Sequence, residues 1–414
     1  MTVLTLDRVK CSNVKRQSIA LAGLLLVCFA AGASAQDATD DGRTQYPAFM
    51  AGSYFTFDLG SIGYLFSGTQ LEPGFKAESI QKPRLAARVD FFGHRFTKNF
   101  SMQVTYWRPF QFVGYRNING NETTARVSNA YAGLTLVLDR PLTTRVSGYI
   151  EGGFGLTSRS GIIIDKQVVL RGVRYSAGVL GAGFAYHATP HTDVMFRAAY
   201  SPGRKSFNQP STRIFTTGLR YNMHPLPAEQ VRANSEAGFS FPANLFRFGY
   251  TTNQLEYGFN DLFSRWIPIF FGGNVETRRG FTVDYERNVF HTKKRLAFDL
   301  GVSASTWKSD GQEVVFRTFS AYPLLRYFLV RSKPADVYFR YSLAGPTVVS
   351  PASIDGRETG GRFTFQDALG FGAYLGSSRR WNGEIGIKHY SNGNIFPTNA
   401  GIKIPLTLSI GFAF

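Results

Sequence analysis

The chain ends on Gly401-Ile402-Lys403-Ile404-Pro405-Leu406-Thr407-Leu408-Ser409-Ile410-Gly411-Phe412-Ala413-Phe414. Every even position from Ile402 to Phe414 is apolar, and the odd positions carry Gly401, Lys403, Pro405, Thr407, Ser409, Gly411 and Ala413. Successive strand side chains point to opposite faces, so this alternation predicts a strand with one apolar and one polar face. The run exceeds the roughly 9–11 residues a strand needs to cross a bilayer. Even positions are therefore expected to face lipid, and odd positions, Lys403 included, to face a lumen.

Working outward, similar runs fall near 52–66, 84–94, 100–112, 126–138, 143–158, 171–187, 191–201 and 212–223, separated by turn-rich segments. His224-Pro225-Leu226-Pro227 then breaks the pattern, because proline cannot donate to a ladder. Beyond it come candidates near 245–259, 267–275, 279–290, 295–306, 316–330, 335–349, 362–376, 381–392 and 402–414. That is one strand more than an eight-stranded barrel takes, so one early segment there is not a barrel strand. The fold class is all-β: a transmembrane antiparallel β-barrel, in two tandem eight-stranded copies or as one barrel of about sixteen strands. The mid-chain break favours two, dividing the chain into a barrel over 36–224, a linker over 225–238 and a barrel over 239–414.

The first 35 residues carry Arg8, Lys10, Lys15 and Arg16, an apolar run from Ile19 to Ala31, and Ala33-Ser34-Ala35 before Gln36. Basic head, short apolar run and small-residue exit are the pattern of a signal peptide over 1–35. Cys11 and Cys28 both lie inside it, so a thiolate metal site, a disulfide or a cysteine nucleophile is not expected beyond it. The formal charge of +18 becomes +15 once that segment's four cations and Asp7 are set aside. In an exported chain such a charge suits anionic lipopolysaccharide or solvated loops better than nucleic acid. The 43 Gly, 38 Phe and 20 Tyr suit a barrel with aromatic girdles. A terminal Phe with alternating apolar residues before it also resembles the signal read by the barrel assembly machinery.

Polar exceptions to the apolar face cluster in one place. In 381–392 the odd, apolar side contains His389 and Ser391, and in 362–376 the odd side contains Asp367 among Phe363, Phe365, Leu369 and Phe371. A turn centred on Ser378 would pair Leu375 with Trp381 and Asp367 with His389. A single His or Ser at headgroup level is ordinary; three polar residues converging on a lipid face have the composition of a serine hydrolase triad. The first half offers His94, His187, His191 and His224 scattered, with no Ser/His/acid or metal-ligand spacing of that kind.

The segment His389-Tyr390-Ser391-Asn392, with Asn399 and Gly401, and more loosely Tyr341 to Pro346 and Phe363 to Asp367, resembles the outer-membrane lipid A deacylases. The resemblance covers roughly 240–414. It implies an outer-membrane serine esterase that removes an acyl chain from lipid A, without metal or cofactor. Ser391 would be the nucleophile, His389 the base, and Asp367 the orienting acid, with Asn392, Asn394, Asn399 and Gly401 binding substrate or oxyanion. One departure stands out: Lys403 occupies the position where the family places a Glu. The rival reading is a barrel without catalysis, whether porin, structural protein or lipopolysaccharide-binding pseudoenzyme.

Overall fold

A computed structural model describes residues 42–236, 238–266 and 272–414; the signal read over 1–35 lies outside them. The alternating segments form sixteen barrel strands among the described residues: β1 (Ser53–Tyr64), β2 (Leu85–Arg95), β3 (Phe100–Pro109), β4 (Asn129–Pro141), β5 (Val146–Arg159), β6 (Val173–His187), β7 (Thr192–Ser201), β8 (Thr212–Met223), β9 (Asn244–Thr252), β10 (Val275–His291), β11 (Leu296–Ser309), β12 (Val315–Arg331), β13 (Ala335–Ser350), β14 (Phe363–Leu375), β15 (Trp381–Ser391) and β16 (Ile402–Ala413). They make two closed eight-stranded antiparallel barrels rather than one large one. β1 pairs with β8 to shut the first, and β9 with β16 to shut the second. No described helix is long and apolar enough to cross a membrane.

The surplus strand has a simple origin. The 245–259 segment leaves the ladder at Thr252 and continues as a short turn and a helix, α2 (Gly258–Trp266). Of 267–275, residues 267–271 lie outside the described residues, and only Val275 is ladder, as the first residue of β10. The chain between the barrels carries α1 (Ala228–Ser235). Arg43 donates to Asn288 and to the Phe241 carbonyl of the second barrel, and Asn234 of α1 donates to the Thr44 carbonyl and accepts from Lys293 N–H. Tyr46 packs on Phe290, so the two barrels are fastened together at the end bearing the short turns.

Phe57, Leu138, Phe196, Phe248, Phe319 and Ile385 lie on outer walls and are exposed, while the alternate positions turn inward and are mostly polar or charged. In the first lumen Arg88 forks onto Glu151 and also reaches Asp90, and Arg197 pairs with Asp90. In the second, Glu286 receives Arg247, Arg326 and Arg340, and Lys388 sits 2.9 Å from Asp284. These side chains are buried and paired with opposite charges, so the lumens are filled with ion pairs and are not open pores.

One strand departs from strict alternation. Gly386 pairs with Thr407, but Lys388 pairs with Ile404 and His389 with Lys403. Two residues of β16, Pro405 and Leu406, thus oppose one of β15. Proline lacks the N–H the ladder would use, and the extra residue forms a β-bulge that swaps the faces of what lies beyond it. Ile402 and Ile404 consequently pack inside with Trp307 and Tyr390 instead of facing lipid, and Lys403 shares the outward face of His389 instead of the lumen.

Replacing Glu286 by Leu takes one carboxylate from three buried guanidinium groups and leaves them only Glu384 or Asp299, and loss of one partner of such a network costs about 3–5 kcal/mol. Urea unfolding in lipid vesicles, followed by gel mobility without boiling, is expected to show that loss; an unchanged midpoint would mean the network does not hold the barrel.

Candidate active site

The site is built by two hairpins and two bulges. The turn between β14 and β15 pairs Leu375 with Trp381, and the ladder then carries Asp367 to a place directly opposite His389, with Ser391 opposite Phe365. Between Ser342 and Gly345 the β13–β14 register shifts, and Ala344 takes a positive φ of 54°. That bulge turns the Ala344 N–H toward Asp367 Oδ1, to which it donates at 2.8 Å. Asp367 Oδ2 lies 3.4 Å from His389 Nδ1. The tyrosine-to-proline stretch 341–346 thus serves the site through its backbone.

His389 Nε2 lies 2.8 Å from the Gly272 carbonyl. A neutral imidazole carries one N–H, so it donates to only one of these two acceptors at a time. Gly401 makes the close approach possible: its φ is +61°, and a Cβ there would sit 2.9 Å from Gly272 O and 3.6 Å from His389 Nε2. Its place in the site is therefore steric. His389 and Asp367 occupy the outward face as parity requires, yet only 1 % and 4 % of their surfaces are exposed. Neighbouring backbone and side chains cover them, which removes the cost of leaving a polar group bare in hydrocarbon.

Ser391 is half-buried and lines a cleft between the two barrels together with Asp367 and Gly393. Its hydroxyl makes no hydrogen bond among the described residues and is not joined to His389. The three asparagines hold the loop that follows: Asn392 donates to the carbonyls of Thr359 and Thr398, and its N–H is taken by Asn399 Oδ1. Asn399 donates in turn to Asn394. The amide N–H groups of Asn392 and Asn399 are spent on loop architecture, whereas the side-chain N–H of Asn394 and the backbone N–H of Gly393, two residues from the serine, make no hydrogen bond among the described residues.

Lys403 is paired with Glu276 at 2.7 Å and Asp261 of α2 at 3.3 Å, and lies over the Tyr257 ring. It is an anchor for the loop helix. Among the described residues no group of three or more His, Cys, Asp or Glu is placed to hold a metal.

The first half holds a relay that the sequence reading passed over. Ser147 Oγ and His187 Nε2 are 2.8 Å apart, and His187 Nδ1 is 2.8 Å from Asp193. Sequence spacing hides Ser147, because the contact arises from the β5–β6 register that pairs it with Ala185; the tight turn after His187, which sets it against Asp193, was the legible signal. Ser147 is buried in the first barrel's inward face, and the second oxygen of Asp193 is held by Arg220 and Asn222. The relay lies at the short-turn end of the first barrel and is tied into its lumen network through Arg220.

Two closed barrels with apolar outer walls and filled lumens define an integral outer-membrane β-barrel protein. Residues 274–411 match the lipid A 3-O-deacylase (PagL) family. The C-terminal barrel is accordingly a lipid A deacylase domain, a hydrolase acting on an ester bond. No curated protein matches the chain. Among solved structures it is similar to the outer membrane enzyme PagL, at 15 % identity over 41 % of this chain and 98 % of that one, with a TM-score of 0.29. It is also similar to Neisserial surface protein A, at 14 % identity over 41 % and 97 %, TM-score 0.29. A third is the N-terminal β-barrel domain of Pseudomonas aeruginosa OprF, at 12 % over 42 % and 98 %, TM-score 0.26.

A Gly401→Ala variant meets both the positive φ, worth about 1–2 kcal/mol, and the Gly272 carbonyl. The barrel is expected to fold, and the ¹⁵N resonances of the His389 ring to shift as the Nε2 contact loosens. Unchanged ring resonances would show that Gly401 does not set that contact.

Proposed function

We propose that the C-terminal barrel is a serine esterase that hydrolyses the 3-O-linked acyl ester of lipid A. The observation that carries this is the convergence of Asp367, His389 and Ser391 on one outward face, at the long-loop end of the barrel, beside an apolar cleft. The turns at 292–295, 332–334 and 376–380 are short, and the connections at 253–274, 351–362 and 392–401 are longer. Short turns belong to the periplasmic side and longer loops to the cell surface. β15 therefore rises outward and delivers Ser391 to the leaflet that holds lipopolysaccharide, with exposed Trp381 at the opposite girdle.

In this reading Ser391 Oγ attacks the ester carbonyl carbon while its proton passes to His389 Nε2. That nitrogen is free to accept only once the Gly272 carbonyl has moved off it and the ring proton sits on Nδ1, facing Asp367. The Gly393 N–H receives the negative charge that develops on the carbonyl oxygen. Collapse breaks the bond to the sugar oxygen, which takes the proton from His389. Water, deprotonated by the same ring, then releases the fatty acid from Ser391. Asp367, reached across the strand pair from β14, does the orienting work, and Lys403 takes no part. The filled lumens count against the porin alternative.

Mass spectrometry of lipid A from expressing cells tests this. Wild type and Lys403→Ala are expected to show loss of one hydroxyacyl chain. Ser391→Ala and His389→Ala should abolish it, and Asp367→Asn should lower it by about 10²–10⁴-fold, the range for disabling general acid–base chemistry. An intact lipid A profile with folded wild-type protein would count against hydrolysis, and retention of bound lipid A without turnover would favour a lipopolysaccharide-binding pseudoenzyme.

A second check concerns the lumens. Purified protein in planar bilayers is expected to give no large, steady conductance; a wide stable pore would contradict two filled eight-stranded barrels.

A further inference from the structure

We propose that the N-terminal barrel forms the second wall of the acyl-chain site, so that the chain of the ester cut at Ser391 lies between the two barrels. This rests on the serine esterase reading of Ser391. The cleft has a volume of about 120 Å³. From the first barrel come Phe57, Val89, Phe91 and Val104, all on outward faces, and from the second come Leu343 and Phe365, with Ser391 and Asp367 as its reactive edge.

Both ends of the seam are fastened. At the outer end Tyr106 donates its hydroxyl to the Gly393 carbonyl, two residues from Ser391, and Arg174 lies 4.7 Å over the Phe396 ring. Ile395 and Phe396 pack with Tyr106 and Ala132 in one cluster. At the inner end Tyr46, Met50 and Phe290 join the barrels. The cleft between these ties is therefore held open by the fold.

Its chemistry selects an alkyl chain. The first-barrel wall is aliphatic and aromatic, the reactive hydroxyl stands at its edge, and its first-barrel lining residues lie on outward, lipid-side faces. An apolar cavity of ~150 Å³ admits benzene, so this one accommodates about five carbons next to the carbonyl. Arg108 is the one cation among the lining residues; it is buried over the Phe112 ring, has no carboxylate partner among the described residues, and marks the polar end at the top of β3. A barrel carrying Ser391 alone would present the chain to bulk lipid on one side. The partner barrel replaces that lipid with a fixed surface, which lets the enzyme discriminate chain length and branching near the ester.

The test uses full-length protein in detergent and two serine-directed fluorophosphonates, one ethyl and one decyl, with the adduct on Ser391 read by peptide mass spectrometry. Wild type is expected to react faster with decyl. Val104→Trp and Val89→Trp, which fill the cleft from the first barrel, should each lower the decyl-to-ethyl rate ratio by about tenfold, the worth of roughly two buried methylenes. Leu180→Trp, on an outward face away from the cleft, should leave the ratio as in wild type. Gel mobility without boiling verifies folding of each. A ratio that stays fixed in both valine variants, or falls equally in Leu180→Trp, overturns the proposal while leaving the esterase reading intact. Absence of any Ser391 adduct in wild type overturns both.

Discussion

A chain in hydrocarbon must satisfy each backbone N–H and C=O from within, because no water is present to do so. All else in this molecule follows from how that demand is met. Sixteen strands close as two rings of eight, each with its own seam, β1 to β8 and β9 to β16. At eight strands the interior is just wide enough for side chains, so inward positions fill with Arg, Glu and Asp that neutralise one another. Outward positions are then left to Phe, Leu and Ile, and a polar residue there needs a cover. Asp367, His389 and Ser391 have that cover, from loop backbone and from the second barrel's neighbour.

The ladder's two local failures do as much for the site as its regularity. Pro405 cannot donate, and the bulge beside it brings Lys403 to the outward face, where it anchors α2 through Asp261 and Glu276. The bulge at Ala344 releases one N–H from pairing and aims it at Asp367. A carboxylate with that donor on one oxygen and an imidazole on the other is held in a fixed orientation. This is a means of placing an acid beside His389 from β14, on the strand opposite the one that carries Lys403.

Much of this was legible in the residues, for a physical reason: period-two alternation is imposed by the pleat, and each strand of the first barrel announced itself that way. The pairing of Asp367 with His389 was legible too, since a tight turn leaves the register little freedom. What was hidden depended on departures from the pleat. Alternation alone placed Ile402 and Ile404 in lipid and Lys403 in the lumen, because it carried no trace of the bulge except Pro405 itself. The turn at 253–257 and the first residues of the helix at 258–259 kept enough apolar residues to pass as the end of the 245–259 strand. The Ser147 relay and the cleft between the barrels arise from register and packing across long sequence separations, which no local pattern reports.

The central claim is that Ser391 forms the bond to the acyl group. Purified protein mixed with lipopolysaccharide in vesicles, quenched in acid within the first turnovers and digested, allows the mass of the peptide containing Ser391 to be read directly. The account predicts a hydroxyacyl adduct on Ser391 that is retained longer in Asp367→Asn, where deacylation by His389 is slowed. Lipid A that loses its chain while the adduct forms on another residue, or while Ser391→Ala turns over as fast as wild type, would contradict it.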